Sequence, residues 1–156
     1  KSRREVLRVH VDKEPPSVVD RPRDMPAEIS AAGGLGPVTF TPDSGKVVVA
    51  DREIVRVWDI STGLERTSWI GHGKTHPIMS EYGGMPRILD IRFSEDGKRA
   101  LTVGVDCAIR VWNVPSGQQI WSVIPDPCCV DWADIAPDGM HVVWSGCPGT
   151  RLYALP

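Results

Sequence analysis

A hairpin that recurs in order along the chain limits its fold more than any other feature. Val38–Ala50, Ile91–Val103 and Asp134–Trp144 each read as a short apolar strand, a Pro/Asp/Gly turn and a second apolar strand. The turn residues have separate physical jobs. Pro42 and Pro137 preset φ, and Asp43, Asp96 and Asp138 cap the turn through their carboxylates. Gly45, Gly97 and Gly139 are the expected positive-φ positions. A repeated unit of this size cannot bury its apolar face alone, so copies must stack on one another.

A second landmark follows each hairpin. Ile54-Val-Arg-Val-Trp-Asp-Ile60 matches Ala108-Ile-Arg-Val-Trp-Asn-Val114, and Thr150–Leu155 is a weaker copy. Apolar and polar positions alternate, as in a half-buried strand. Ser61-Thr-Gly63 and Pro115-Ser-Gly117 then turn the chain into Glu65–Ile70 and Gln118–Val123, which read as fourth strands. The unit is therefore four short strands, and the fold class is all-β. The interval from Trp58 to Trp112 exceeds the period of about 40–45 residues by roughly ten. The excess lies in a Gly/Pro-rich loop, Gly71–Pro86. Upstream, Val6–Val11 resembles the same landmark strand, with His10 where Trp58 stands, and a Pro/Gly-rich stretch follows it.

Composition removes several function classes. The 156 residues carry a net charge of −2, with no basic surplus for nucleic-acid phosphates. No apolar run approaches the roughly 20 residues of a membrane-spanning helix, and no secretory leader is visible before Glu14. Cys107, Cys128, Cys129 and Cys147 form no CxxC pair. They read as small buried free thiols rather than metal ligands, which favours a reducing, cytoplasmic setting. No cofactor is implied.

The "PDG" and "SEDG" turns, "VRVWD" and "IRVWN", and the Gly71-His72 dipeptide together resemble the WD-repeat family of β-propellers. The resemblance covers Val38 to Pro156 well and Lys1 to Pro37 poorly. It implies a partial β-propeller of four-stranded antiparallel blades. Residues 1–12 would be an outgoing strand of a preceding degenerate blade and 13–36 a connection. Residues 37–70 would be one blade, 71–86 an inserted loop, 87–124 the most regular blade and 125–156 a degenerate one. Turns of this kind also occur in bacterial members of the family.

In this family a His, a Ser or Thr, an Asp and the Trp join in one hydrogen-bond network within a blade. By position the resemblance puts His72, Thr102, Asp106 and Trp112 in those roles, with His76 a rival for His72. Read alone, the same residue types could form a nucleophile triad. No G-x-S-x-G elbow accompanies them, however, and the network would occupy the hydroxyl. The preceding repeat has Asp51 one residue out of register, with Val47 or Val48 expected where the hydroxyl should stand. The last repeat has Cys147-Pro-Gly149 in place of the Asp turn and Tyr153 in place of Trp.

A propeller typically closes with about four to eight blades. Three leave open apolar faces, so further blades before Lys1 are expected to complete the ring, which would make this the C-terminal part of a longer bacterial-type protein, with self-association the alternative. The resemblance implies a non-catalytic scaffold for protein–protein interaction, with no nucleic-acid or membrane partner. Within 71–86, His72, Lys74, His76, Tyr82 and Met85 are candidate partner contacts, set against a neutral surface insertion. Asp126–Asp131 occupies the equivalent connection before the last repeat. Two other readings stand beside the scaffold: a sensor module attached to a signalling enzyme such as a protein kinase, and a propeller enzyme or cofactor binder.

Overall fold

The computed structural model describes residues 7–10, 27–30, 35–73, 86–125, 130–147 and 149–156. Among them there is no helix. Strands β1 (Leu7–His10) and β2 (Ala27–Ser30) form a parallel pair. The remaining strands form three antiparallel sheets in chain order. The first holds β3 (Leu35–Phe40), β4 (Lys46–Asp51), β5 (Ile54–Asp59) and β6 (Glu65–Ile70). The second holds β7 (Ile88–Phe93), β8 (Arg99–Gly104), β9 (Ile109–Asn113) and β10 (Gln118–Val123). The third holds β11 (Trp132–Ile135), β12 (His141–Gly146) and β13 (Gly149–Ala154), so its described part has three strands rather than four. Each sheet is a simple meander in which consecutive strands pair.

The turns explain the meander. Asp43 Oδ1 accepts from the Thr41 hydroxyl at 2.6 Å and the Gly45 amide at 3.0 Å. Asp96 Oδ1 accepts from the Ser94 hydroxyl at 2.7 Å and the Lys98 amide at 2.9 Å. Asp138 accepts from the Met140 amide at 2.8 Å. Gly97 and Gly139 take positive φ, 66° and 72°. The expectation for Gly45 needs correction: the positive-φ residue in that turn is Ser44, at 55°. Counting from Thr41 and Ser94, Ser44 occupies the place of Gly97, and Gly45 that of Lys98.

The sheets stack face to face; two apolar clusters join neighbouring sheets, and a smaller one, Val47 and Val49 with Trp58 and Ile60, lies within the first sheet. Of the two, one joins Val48, Ala50, Val55, Val57 and Trp69 of the first sheet to Ile88, Ile91, Ala100 and Trp112 of the second. The other joins Leu101, Val103, Ile109 and Val111 of the second sheet to Ala133, Ile135, Val142 and Trp144 of the third. An aromatic pair bridges each junction. Trp69 lies 5.9 Å from Trp112 between ring centroids, and Trp121 lies 5.4 Å from Tyr153. Tilted contacts of this kind are worth about 0.5–1.5 kcal/mol beyond the area they bury. Tyr153 thus fills the place of Trp112 in the last sheet.

Cys107 is buried, but it is disulfide-bonded, which corrects the expectation of a free thiol there. Sequence spacing alone cannot report which cysteines meet in space. Cys147 is exposed, and Cys128 and Cys129 lie outside the described residues.

Candidate functional site

The most concentrated polar chemistry lies at the junction of the first and second sheets. After β6 the chain is held by the Gly71 and His72 amides, which both donate to the Glu53 carbonyl, at 2.7 and 3.2 Å. This aims the His72 ring into the end of the second sheet, where it is 0% exposed. Its Nε2 lies 2.8 Å from Thr102 Oγ1, and its Nδ1 2.7 Å from Asp106 Oδ1. Trp112 Nε1 donates to the same Thr102 oxygen at 2.8 Å, and the Ala108 amide donates to Asp106 Oδ1 at 3.1 Å. All four residues singled out by the resemblance therefore meet. His76 lies outside the described residues.

The protons can be placed by chemistry. Burial raises the Asp106 pKa, but the His72 hydrogen bond and the Arg110 guanidinium outweigh it, and the net shift is downward. An ionised carboxylate only accepts, so His72 Nδ1 must carry the hydrogen and Nε2 must accept. The Thr102 hydroxyl then accepts from Trp112 and donates to His72. The result is one unbroken donor order, from Trp112 through Thr102 and His72 to Asp106. The His72 pKa is lowered, chiefly by burial, with Arg110 adding to the effect against the pull of Asp106. The imidazole is neutral near pH 7.

Arg110 is the member that sequence reasoning missed. Its Nη1 lies 2.7 Å from Asp106 Oδ2 and also abuts His72 Nδ1, which carries its own hydrogen and so cannot accept from the guanidinium. The Oδ2 contact is an ion pair rather than an aligned hydrogen bond, since that oxygen has no partner by bond geometry. The available signal was the arginine two residues before the aromatic in every landmark strand: Arg56, Arg110 and Arg151.

Strand register shows that each sheet treats this arginine differently. Thr102 pairs with Arg110, Val49 with Arg56 and Trp144 with Arg151. The residue in place of the hydroxyl in the first sheet is thus Val49, not Val47 or Val48. The reason is the turn after the strand. Four residues separate Ala50 from its partner Val55, and five separate Val103 from Ile109. Counting back from Asp51 therefore slips by one. In the first sheet Arg56 Nε lies 3.6 Å from Asp51 and Nη1 3.1 Å from Glu65. In the third, the Arg151 guanidinium lies 5.7 Å from the Trp144 ring centroid.

Gly104 explains why the histidine serves the second sheet alone. A Cβ there would run into the His72 ring and would come within 2.8 Å of Asp106 Oδ1. The imidazole occupies the space of a missing side chain. By register Asp51 stands where Gly104 stands, and its buried carboxylate takes that space in the first sheet.

Of the candidate partner contacts, His72 is corrected. Its ring is fully buried and both nitrogens are engaged, so it offers no surface to a partner. Lys74, His76, Tyr82 and Met85 lie outside the described residues, as do most of the residues of Asp126–Asp131. A groove of about 280 Å³ also opens at the turn end between the first two sheets. Val57 and Val114 line its apolar part, and Lys46 and Lys98 its rim. Each lysine faces its own turn aspartate, at 3.7 and 3.9 Å, so the rim charges offset one another. Among the described residues no group of three or more His, Cys, Asp or Glu side chains could hold a metal ion, and no helix is long and apolar enough to cross a membrane.

No family model matches the chain. Among curated proteins it is similar to the mouse target of rapamycin complex subunit LST8, at 29% identity over 77 residues, covering 49% of this chain and 21% of that protein. It is also similar to human WD repeat-containing protein 36, at 40% identity over 45 residues, covering 28% of this chain and 5% of that protein. The chain spans about a fifth or less of the length of these relatives. Its fold is all-β, an unclosed stack of antiparallel WD-type sheets, and its sequence is similar over part of its length to WD-repeat proteins.

Proposed function

We propose that the chain is a non-catalytic scaffold for protein–protein interaction, forming part of a propeller that further blades complete. The observation that carries this reading is the employment of the reactive side chains. The hydroxyl aligned with a His and an Asp, that of Thr102, is fully buried and already holds Trp112 and His72. A substrate carbonyl has no approach to it, so the triad geometry serves to order the sheet. The named relative LST8 is a complex subunit, which supports a role in assembly.

The loop spanning residues 71–86 is the proposed contact surface, through Lys74, His76, Tyr82 and Met85. A long connection carried on a rigid stack of sheets is a common place for binding residues, and Tyr is favoured at contact hot spots. Affinity capture with the chain, compared with a variant lacking residues 74–84, tests this. The scaffold reading expects a partner set recovered by the intact chain and lost with the deletion. An unchanged set would remove the loop from the binding role.

A further inference from the structure

The first hairpin turns of the three sheets lie together, at the end of β7 away from Gly71 and His72, and the two junctions between them close differently. The amides of Thr41, Ser94 and Ala136 donate to the carbonyls of Lys46, Arg99 and His141, at 3.0, 3.0 and 2.9 Å, which aligns the turns residue by residue. Two brackets join the turns of the second and third sheets. The Glu95 amide donates to the Pro137 carbonyl at 2.8 Å, and Arg99 Nη1 donates to the Gly139 carbonyl at 2.9 Å. The Arg99 stem lies over Gly139, within 3.1 Å of where a Cβ would stand.

Neither bracket forms between the first and second sheets. Pro42 stands in the place of Glu95 and has no N–H to give. Lys46 stands in the place of Arg99, and its ammonium stays 3.7 Å from Asp43. A Cβ at Gly97, the counterpart of Gly139, would meet the Pro42 ring at 3.4 Å and, its chain neighbours aside, nothing else of the described residues within 4 Å. The groove of about 280 Å³ opens here. Small-molecule sites run to roughly 300–1,000 Å³, so this one suits a single side chain.

The charges of the lining balance. Lys46 faces Asp43 and Lys98 faces Asp96, and Arg66 gives two hydrogen bonds to Asp59 Oδ2, at 3.2 and 3.0 Å. The Gly97 carbonyl breaks the tie, because a carbonyl only accepts and so calls for a donor. The two lysine pairs are long and exposed, and pairs of that kind hold weakly. An incoming donor with better geometry can therefore take the Asp43 or Asp96 carboxylate. Val57 and Val114 offer a bed for a hydrocarbon stem. A planar head of several donors on such a stem describes arginine rather than lysine.

We propose that this groove takes the side chain of an arginine presented by a partner polypeptide, with its guanidinium in the place that Arg99 fills at the next junction. This rests on the scaffold reading, to which it adds a second contact surface and the chemistry of what that surface holds.

Amide NMR of the isotope-labelled 156-residue chain, titrated with N-acetyl-arginine amide, tests the proposal. N-acetyl-lysine amide and N-acetyl-citrulline amide are the controls; citrulline keeps the shape and lacks the charge. The Gly97, Lys98 and Val114 amides should shift and saturate, and arginine should bind at least about threefold more tightly than either control. Lys46→Arg supplies from within the guanidinium that closes the neighbouring junction, so it should weaken binding at least about tenfold. Lys46→Gln supplies none and should bind at least as well as the parent. Lys46 is exposed, so both variants should fold, and unchanged amide signals away from the groove check this. Groove amides that stay still, equal binding of the three amides, a Lys46→Arg chain that binds as the parent does, or a Lys46→Gln chain that loses binding would each overturn the proposal. Affinity capture with the 74–84 deletion is measured separately, so failure here leaves the scaffold reading standing.

Discussion

Removing the Asp106 carboxylate is the sharpest test of the buried network. In Asp106→Ala the His72 Nδ1–H and the Ala108 amide lose their acceptor, and Arg110 loses its nearest carboxylate. Leaving a buried donor unsatisfied costs about 1–3 kcal/mol. The two donors, one imidazole N–H and one backbone amide, therefore suggest about 2–6 kcal/mol. Breaking a buried ion pair from one side costs about 3–5 kcal/mol. These are two descriptions of overlapping losses and do not add. Arg110 is 18% exposed and can recover some hydration, so the expected loss is about 3–4 kcal/mol. For a chain of this size, each 1 kcal/mol moves Tm by roughly 2–4 °C. The variant should melt about 6–16 °C below the parent. Asp106→Asn keeps the acceptor for His72 and should cost less. Urea unfolding followed by Trp fluorescence gives the free energy, and hydrogen exchange should place the loss in β8 and β9. A change within about 0.5 kcal/mol, the range of an ordinary surface substitution, would refute the reasoning.

Gly104→Ala should destabilise about as strongly, since the added methyl must displace the His72 ring; crystallography or histidine NMR showing the ring still buried would contradict this. In the first sheet, Val49→Thr offers Trp58 Nε1 the acceptor that Trp112 already has and should gain about 1 kcal/mol. Val48→Thr puts a hydroxyl into the apolar layer facing the second sheet and should lose about 1–3 kcal/mol; equal losses in urea melts would remove the assigned register. Stability should also fall in acid. The folded His72 pKa lies below its unfolded value, near 6.5, so the unfolded chain takes up the proton first. The contribution is complete above about pH 6.5 and declines below it. The lowered Asp106 pKa adds a further loss once pH falls below the ordinary aspartate range. His72→Gln should flatten the slope below about pH 6.5, and an unchanged slope would mean that the proton goes elsewhere.

The sequence by itself determined the strands, their order and the turns between them. These are local properties: alternation sets which residues line a face, and an aspartate side chain reaches its own turn amides within a few residues. The stacking of the sheets was legible for a similar reason, because each unit's apolar face is too large to leave bare. The members of the network could be listed from Gly71-His72, Thr102, Asp106 and "IRVWN", since a repeated pattern fixes their offsets along the chain.

Tertiary structure decided what depends on two strands lying side by side. A turn shorter by one residue put the hydroxyl's counterpart at Val49 rather than at Val47 or Val48, and a shift of one residue exchanges the two faces of a sheet. Offsets along the chain do not carry that information; cross-strand pairing does. The same pairing set Arg110 against Asp106, Arg56 against Asp51 and Arg151 over Trp144, three solutions for one repeated arginine. It also gave Gly104 its meaning. The absence of a side chain there is silent in sequence and becomes a requirement only because His72, from the preceding turn, fills the space. That filling buries His72 and makes it part of the junction between the first two sheets.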